Sequence, residues 1–197
     1  MLSRVILGAQ TTVFSALALV LIISVTGTIL GMIGGYFGGK IDDLIMRISD
    51  LFLAFPGMVF AIAVAGVLSG GLKSAGIALA CISWTKFARL ARSQTLTVKE
   101  MPYIAAAKLS GCNGMQILLR HIFPNIAGTM IVTAMLDIGT MIMELAGLSF
   151  LGLGATPPMA EWGSMMSNGR SMLQTCPWIV IAPGIAMFWT GARFNLL

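Results

Sequence analysis

Asp137 and Glu144 stand seven residues apart in an otherwise apolar run, with Thr133, Thr140 and Met141 beside them. On a helix this spacing sets all five on one face. An ionised carboxylate inside an apolar membrane span costs at least about 2 kcal/mol unless it meets a partner or water. Such a face suits a path for a polar substrate or a cation, and equally an interhelical hydrogen-bond seam. Carboxylate oxygens accept many divalent ions and peptide amines alike, so the chemistry selects no cargo.

Other chemistries find little purchase. His121 is the only histidine and sits beside Arg120, which leaves general base catalysis one badly placed candidate. Gly34-Gly35-Tyr36-Phe37-Gly38-Gly39-Lys40-Ile41 approaches the phosphate-binding loop G-x-x-x-x-G-K-[ST]. Ile41 has no hydroxyl for magnesium, and an apolar helix precedes it where a strand is required, so any ATP must be hydrolysed by another chain. Cys81, Cys112 and Cys176 lack the spacing of a disulfide framework or a zinc site. The fifteen methionines fall mostly in apolar runs and read as packing. No metal site and no catalytic residue is expected.

The elements that must position these residues follow from the composition. The chain has 197 residues, 57% of them apolar and 10% charged, with a mean hydropathy of +0.93. Soluble domains carry about 25% charged residues, so lipid is the solvent for most of this chain. The net charge of +5 comes from cations in the gaps between apolar runs, which argues against a nucleic-acid patch. A bilayer core about 30 Å thick needs roughly 20 helical residues. The runs predict an all-α, polytopic transmembrane bundle in one domain over 1–197. About five spans are expected, at 11–33, 51–70, 74–92, 123–145 and 177–193.

With the segments 34–50 and 86–121 and the C-terminal end on the cytoplasmic side, nine cations lie inside: Lys40, Arg47, Lys86, Arg89, Arg92, Lys99, Lys108, Arg120 and Arg193. Arg4, Lys73 and Arg170 lie outside. That asymmetry satisfies the positive-inside rule and places the N-terminus outside. Lys86, Arg89 and Arg92 share roughly one face at the end of the third span, where long basic side chains are expected to snorkel to the interface. Gly27, Gly31, Gly35 and Gly39 recur every four residues and predict a small-residue groove for a close helix neighbour.

The segment 94–121 joins two spans on the cytoplasmic side. Ile104 to Ser110 favours a short helix, which Gly111 can end with positive φ. A short helix on the membrane face can dock into a groove of a soluble partner.

This segment resembles the coupling loop of the permeases of ATP-binding-cassette (ABC) importers, whose pattern is E-A-A-x-x-x-G. Ala106, Ala107 and Gly111 match, and Ala105 stands where many members carry glutamate. Tyr103 to Ala107 and His121 to Asn125 are similar to the oligopeptide/dipeptide/nickel branch, as are Gly34 to Asp50, Leu148 to Gly154 and Glu161-Trp162-Gly163. Leu136 to Gly139, Ala146 to Phe150 and Ala160 to Gly163 look closer to the nickel-type second permease than to peptide-type ones.

The resemblance implies a multi-pass permease of the bacterial inner membrane, not itself an enzyme, importing nickel or a nickel chelate. A di- or oligopeptide importer is the alternative. An ion-coupled secondary transporter and an intramembrane enzyme are the readings from other classes. It also implies partners: a homologous second permease, two cytoplasmic ATP-binding subunits that use ATP and magnesium, and an extracytoplasmic solute-binding protein. This chain binds no cofactor of its own and no nucleic acid. The ATPase contact would fall on Tyr103, Ala106, Ala107, Lys108 and Gly111, and the substrate path on Thr133, Asp137, Thr140, Met141 and Glu144. Members of the family carry a further membrane helix ahead of the Ser-Arg seen at Ser3-Arg4, and a tail beyond Asn195-Leu196. The resemblance therefore implies a chain shortened at both ends, which would account for an N-terminus placed outside.

Overall fold

In lipid every backbone N–H and C=O must be satisfied within the chain, and helices do this locally. A computed structural model describes residues 2–156 and 158–196. Met1 and Leu197, the ends of the expected 1–197 domain, lie outside the described residues. The chain runs as α1 (Leu2–Phe37), α2 (Gly39–Leu53), α3 (Gly57–Val67), α4 (Leu72–Lys99), α5 (Pro102–Leu109) and α6 (Gly114–Ile117). A π-helical turn (Leu118–Ile122) leads into α7 (Phe123–Phe150), followed by α8 (Trp162–Gly169), a 3-10 turn (Arg170–Met172) and α9 (Trp178–Leu196). No strand occurs among the described residues, as the all-α expectation requires.

The spans differ in detail from the apolar runs. Residues 11–33, 123–145 and 177–193 fall on α1, α7 and α9 almost entirely; Leu2–Phe37, Gly114–Phe150 and Trp178–Leu196 are long and apolar enough to cross a membrane. The stretch 51–70 does not form one helix. It starts in the last turn of α2, breaks at Ala54 to Pro56 and resumes as α3. Pro56 has no N–H to donate and drives the residue before it out of the helical region. At 11 residues α3 is too short to span alone; α2 and α3 together make one broken span or a re-entrant pair. Residues 74–92 lie within α4, which is long enough at 28 residues. Its basic side chains keep it out of the class of apolar spans, so three helices qualify among the described residues, or four counting the bent pair.

The chain packs as two compact units. One comprises Met1–Leu21, Phe55–Ile82 and Met135–Leu197, the other Ile22–Ala54 and Ser83–Ala134; α1, α4 and α7 contribute residues to both.

In the first unit the core is built from Ala16, Val20, Ala61, Ala65, Ala78, Leu79, Ile142, Leu145 and Leu148. The Glu161-Trp162-Gly163 motif anchors α8 there. The buried Glu161 carboxylate accepts hydrogen bonds from the Gly163 and Ser164 N–H groups at 2.9 and 2.8 Å, an N-cap that satisfies two orphan donors of α8. The Trp162 indole donates to the Val5 carbonyl at 2.9 Å, and its backbone N–H donates to Thr12 Oγ1 at 3.2 Å. Gly163 lies against the Ala146 backbone, with no room for a Cβ.

In the second unit α1 lies against α4 through glycine. A Cβ added at Gly27, Gly31 or Gly35 would stand 2.6 Å from Phe87 Cβ, 2.8 Å from Ala91 Cβ or 3.0 Å from Thr95 Cβ. Gly39, the fourth member of the expected groove, does not belong to it. α1 ends at Phe37, and Gly39 has open space around it.

α2 is amphipathic in the inverse sense to a helix in water. Asp42 and Ser49 are buried, whereas Ile41, Leu44, Ile48 and Leu51 form an exposed apolar stripe. The inward polar side meets α4. Arg92 donates from Nε to Asp42 Oδ1 and from Nη2 to Oδ2, both at 2.5 Å. Arg89 donates from Nε to Ser49 Oγ at 3.3 Å and pairs with Asp50. Both arginines thus find carboxylate partners within the protein.

Candidate functional site

The segment between α4 and α7 folds from local signals. Pro102 occupies the first position of α5, where its missing N–H costs nothing, so this helix starts two residues before the expected Ile104. At its end Ser110 Oγ donates to the Ala106 carbonyl at 2.9 Å. Gly111 adopts a φ of 83°. Its N–H donates to the Lys108 carbonyl at 3.0 Å and that of Cys112 to the Ala107 carbonyl at 3.1 Å. These paired bonds form a Schellman cap, which needs a left-handed residue here. Asn113 then starts α6 in a capping box: the Gln116 N–H donates to Asn113 Oδ1 at 2.9 Å, and the Asn113 N–H to Gln116 Oε1 at 3.0 Å.

The π turn before α7 has its cause in Pro124, which cannot donate to the carbonyl one turn back and crowds it. Widening the turn relieves that clash. Asn125 Nδ2 donates to the His121 carbonyl at 2.6 Å. His121 is half-buried in this turn.

α5 shows two faces. Ile104 and Ala107 are buried in the second unit, whereas Tyr103, Ala106 and Lys108 are exposed. Of the five residues expected to meet a partner, only Ala107 is turned into the protein. Leu109, not singled out from the sequence, is 90% exposed. The signal was present in the helical register, two residues after the buried Ala107.

Tyr36, at the end of α1, has a place in the site that neither motif containing it foretold. Lys99 Nζ donates to its carbonyl at 2.6 Å and stands 5.7 Å from its ring centroid. Lys108 Nζ lies 5.9 Å from the same centroid. The ring edge also fills the space beside Gly114, where a Cβ would stand 3.1 Å from Cε1. α1, α4, α5 and α6 meet at this one side chain.

The expected substrate face of α7 is divided. Thr133 belongs to the second unit, where its hydroxyl donates to the Thr129 carbonyl at 2.8 Å. Asp137, Thr140, Met141 and Glu144 belong to the first. There Asp137 is 5% exposed and Met141 is fully buried, whereas Glu144 is half-buried and Thr140 exposed. Gly139 beside them lies against α9, 3.2 Å separating its Cβ position from the Gly191 carbonyl. Among the described residues no three His, Cys, Asp or Glu side chains gather to hold a metal ion, so geometry adds no support for nickel.

An all-helical chain with several apolar spans and a capped helix between α4 and α7 has the form of a multi-pass membrane permease. Residues 27–197 match the family described as binding-protein-dependent transport system inner membrane component. The chain belongs to that family, and so to the inner membrane. It is 42% identical over 195 residues to a glutathione transport system permease protein of Pectobacterium atrosepticum, covering 99% of this chain and 65% of that protein. It is 41% identical to a dipeptide transport system permease protein of Alkalihalophilus pseudofirmus, covering 99% and 64%. A glutathione transport system permease protein of Escherichia coli is 44% identical, with the same 99% and 64% covered. The chain thus spans about 65% of the length of these relatives. Two of these relatives are named for glutathione and one for dipeptides.

Proposed function

We propose that this chain is the membrane-spanning permease subunit of an ATP-driven importer for short peptides, of the size of dipeptides and glutathione. The observation that carries the reading is α5: a short helix between two long ones, capped by Gly111, with Tyr103, Ala106, Lys108 and Leu109 outward. Such a helix suits a groove on a soluble partner. Two ATP-binding subunits would take this place on the two permeases of the complex and hydrolyse ATP with magnesium. A solute-binding protein would deliver the peptide from outside. Import would arise from the different contacts the permeases make in inward- and outward-open states, with no bond made or broken by this chain.

Within the first unit, Asp137, Thr140 and Glu144 are proposed to border the path. A carboxylate there suits a peptide's ammonium group. The relatives support the cargo; the nickel reading rests on the motifs at 136–139, 146–150 and 160–163 alone. Uptake by proteoliposomes holding the assembled importer separates the two. ATP-dependent uptake of labelled dipeptide, competed by glutathione and indifferent to nickel, is the expected result. Nickel uptake that excess peptide leaves unchanged would overturn the cargo assignment.

A further inference from the structure

We propose that Tyr36 is the positioning residue that sets the orientation of α5 on the membrane unit. The inference rests on the reading of α5 as the helix gripped by the ATPase. Its support is geometric and lies within one compact unit. Lys108, on the outward side of α5, reaches back so that its ammonium stands 5.9 Å from the Tyr36 ring centroid. Lys99, in the last turn of α4, faces the same ring at 5.7 Å and is held by the Tyr36 carbonyl at 2.6 Å. Gly114, the first residue of α6, leaves room for the ring edge.

A ring attracts cations through its face, so Tyr36 ties the start of α6, the end of α4 and the body of α5 to the end of α1. Ile104 and Ala107 bury the inner side of α5, but apolar burial alone lets a two-turn helix roll about its axis. The Lys108–Tyr36 contact opposes that roll. A rotation of α5 imposed by the ATPase would reach α1 through the same ring.

The test uses Tyr36→Leu, which removes the ring, and Tyr36→Phe, which keeps it. Hydrogen exchange at residues 104–112 is followed on the full chain in nanodiscs, and peptide imported per ATP hydrolysed is measured in the assembled importer. Tyr36→Leu is expected to speed exchange at 104–112 about fivefold while leaving 40–50 unchanged, and Tyr36→Phe to stay near wild type. If Tyr36→Leu fails to insert, Lys108→Met takes its place, with Lys108→Arg expected to restore slow exchange. Unchanged exchange in Tyr36→Leu, or in Lys108→Met where it substitutes, overturns the proposal, whatever happens to import. Faster exchange with an unchanged ratio of import to ATP upholds the positioning role and sinks the ATPase reading of α5 instead.

Discussion

Arg92 holds Asp42 across fifty residues of sequence with two parallel hydrogen bonds of 2.5 Å. The planar guanidinium matches the carboxylate atom for atom. The pair is largely enclosed, with 34% of the arginine and 12% of the aspartate side chain exposed, against 47% and 64% for Arg89 and Asp50. Enclosure decides which pair matters. Exposed pairs contribute about 0–1 kcal/mol, whereas breaking a buried one strands a charge at a cost of about 3–5 kcal/mol. Because a third of the arginine is still exposed, Asp42→Asn is expected to lower stability by an intermediate amount of about 1–3 kcal/mol, and Asp50→Asn by less than about 1 kcal/mol. Thermal unfolding in micelles reads the difference. Equal losses would show that the bidentate geometry contributes nothing.

The glycines of α1 can be ranked by what their missing Cβ would strike. Gly31→Ala drives a methyl into the Ala88 carbonyl and Ala91, and Gly27→Ala into the Trp84 carbonyl and Phe87. Each is expected to destabilise by about 1–3 kcal/mol through overpacking. Gly128→Ala, in α7 with open space around it, is expected to stabilise by about 0.5–1 kcal/mol by restricting the unfolded chain. Unfolding temperatures that fail to separate Gly31 from Gly128 would refute the close approach of α1 to α4.

Gly111 is unobstructed, yet its φ of 83° is costly for any residue with a Cβ. Gly111→Ala should weaken the end of α5 by about 1 kcal/mol, and Gly111→Asn by less, because asparagine tolerates the left-handed region. In the assembled importer Gly111→Glu should leave insertion intact and lower import per ATP. Full coupling in Gly111→Glu would argue that this cap is no part of the contact with the motor.

Asp137→Asn preserves shape and removes charge. If Asp137 meets the cargo, peptide uptake falls about tenfold or more while complex yield and unfolding temperature hold, since losing a charge-assisted hydrogen bond costs roughly 1.5–3 kcal/mol. Wild-type uptake would take Asp137 out of the path. Loss of yield with uptake per complex preserved would make it a packing group.

The helices were legible in the chain because the demands that create them are local. Apolar runs in lipid must satisfy their own backbone, and Gly111 ends α5 as its residue type implied; Pro102 and the Asn113/Gln116 capping box act just as locally but went unread in the sequence. Even the π turn has its cause in Pro124, two residues from where it begins to close. What the sequence could not disclose was partner choice. Tyr36 lies 63 residues from Lys99, and nothing in the composition of either segment marks the other. Arg89 and Arg92 read as cations on one helix face, and nothing in their spacing told that α2 brings Asp50 and Asp42 beside them. The four-residue glycine repeat looked continuous to Gly39, but where α1 ends decided that only three of the four face α4. Periodicity reports which side of a helix is alike; only packing reports what that side meets.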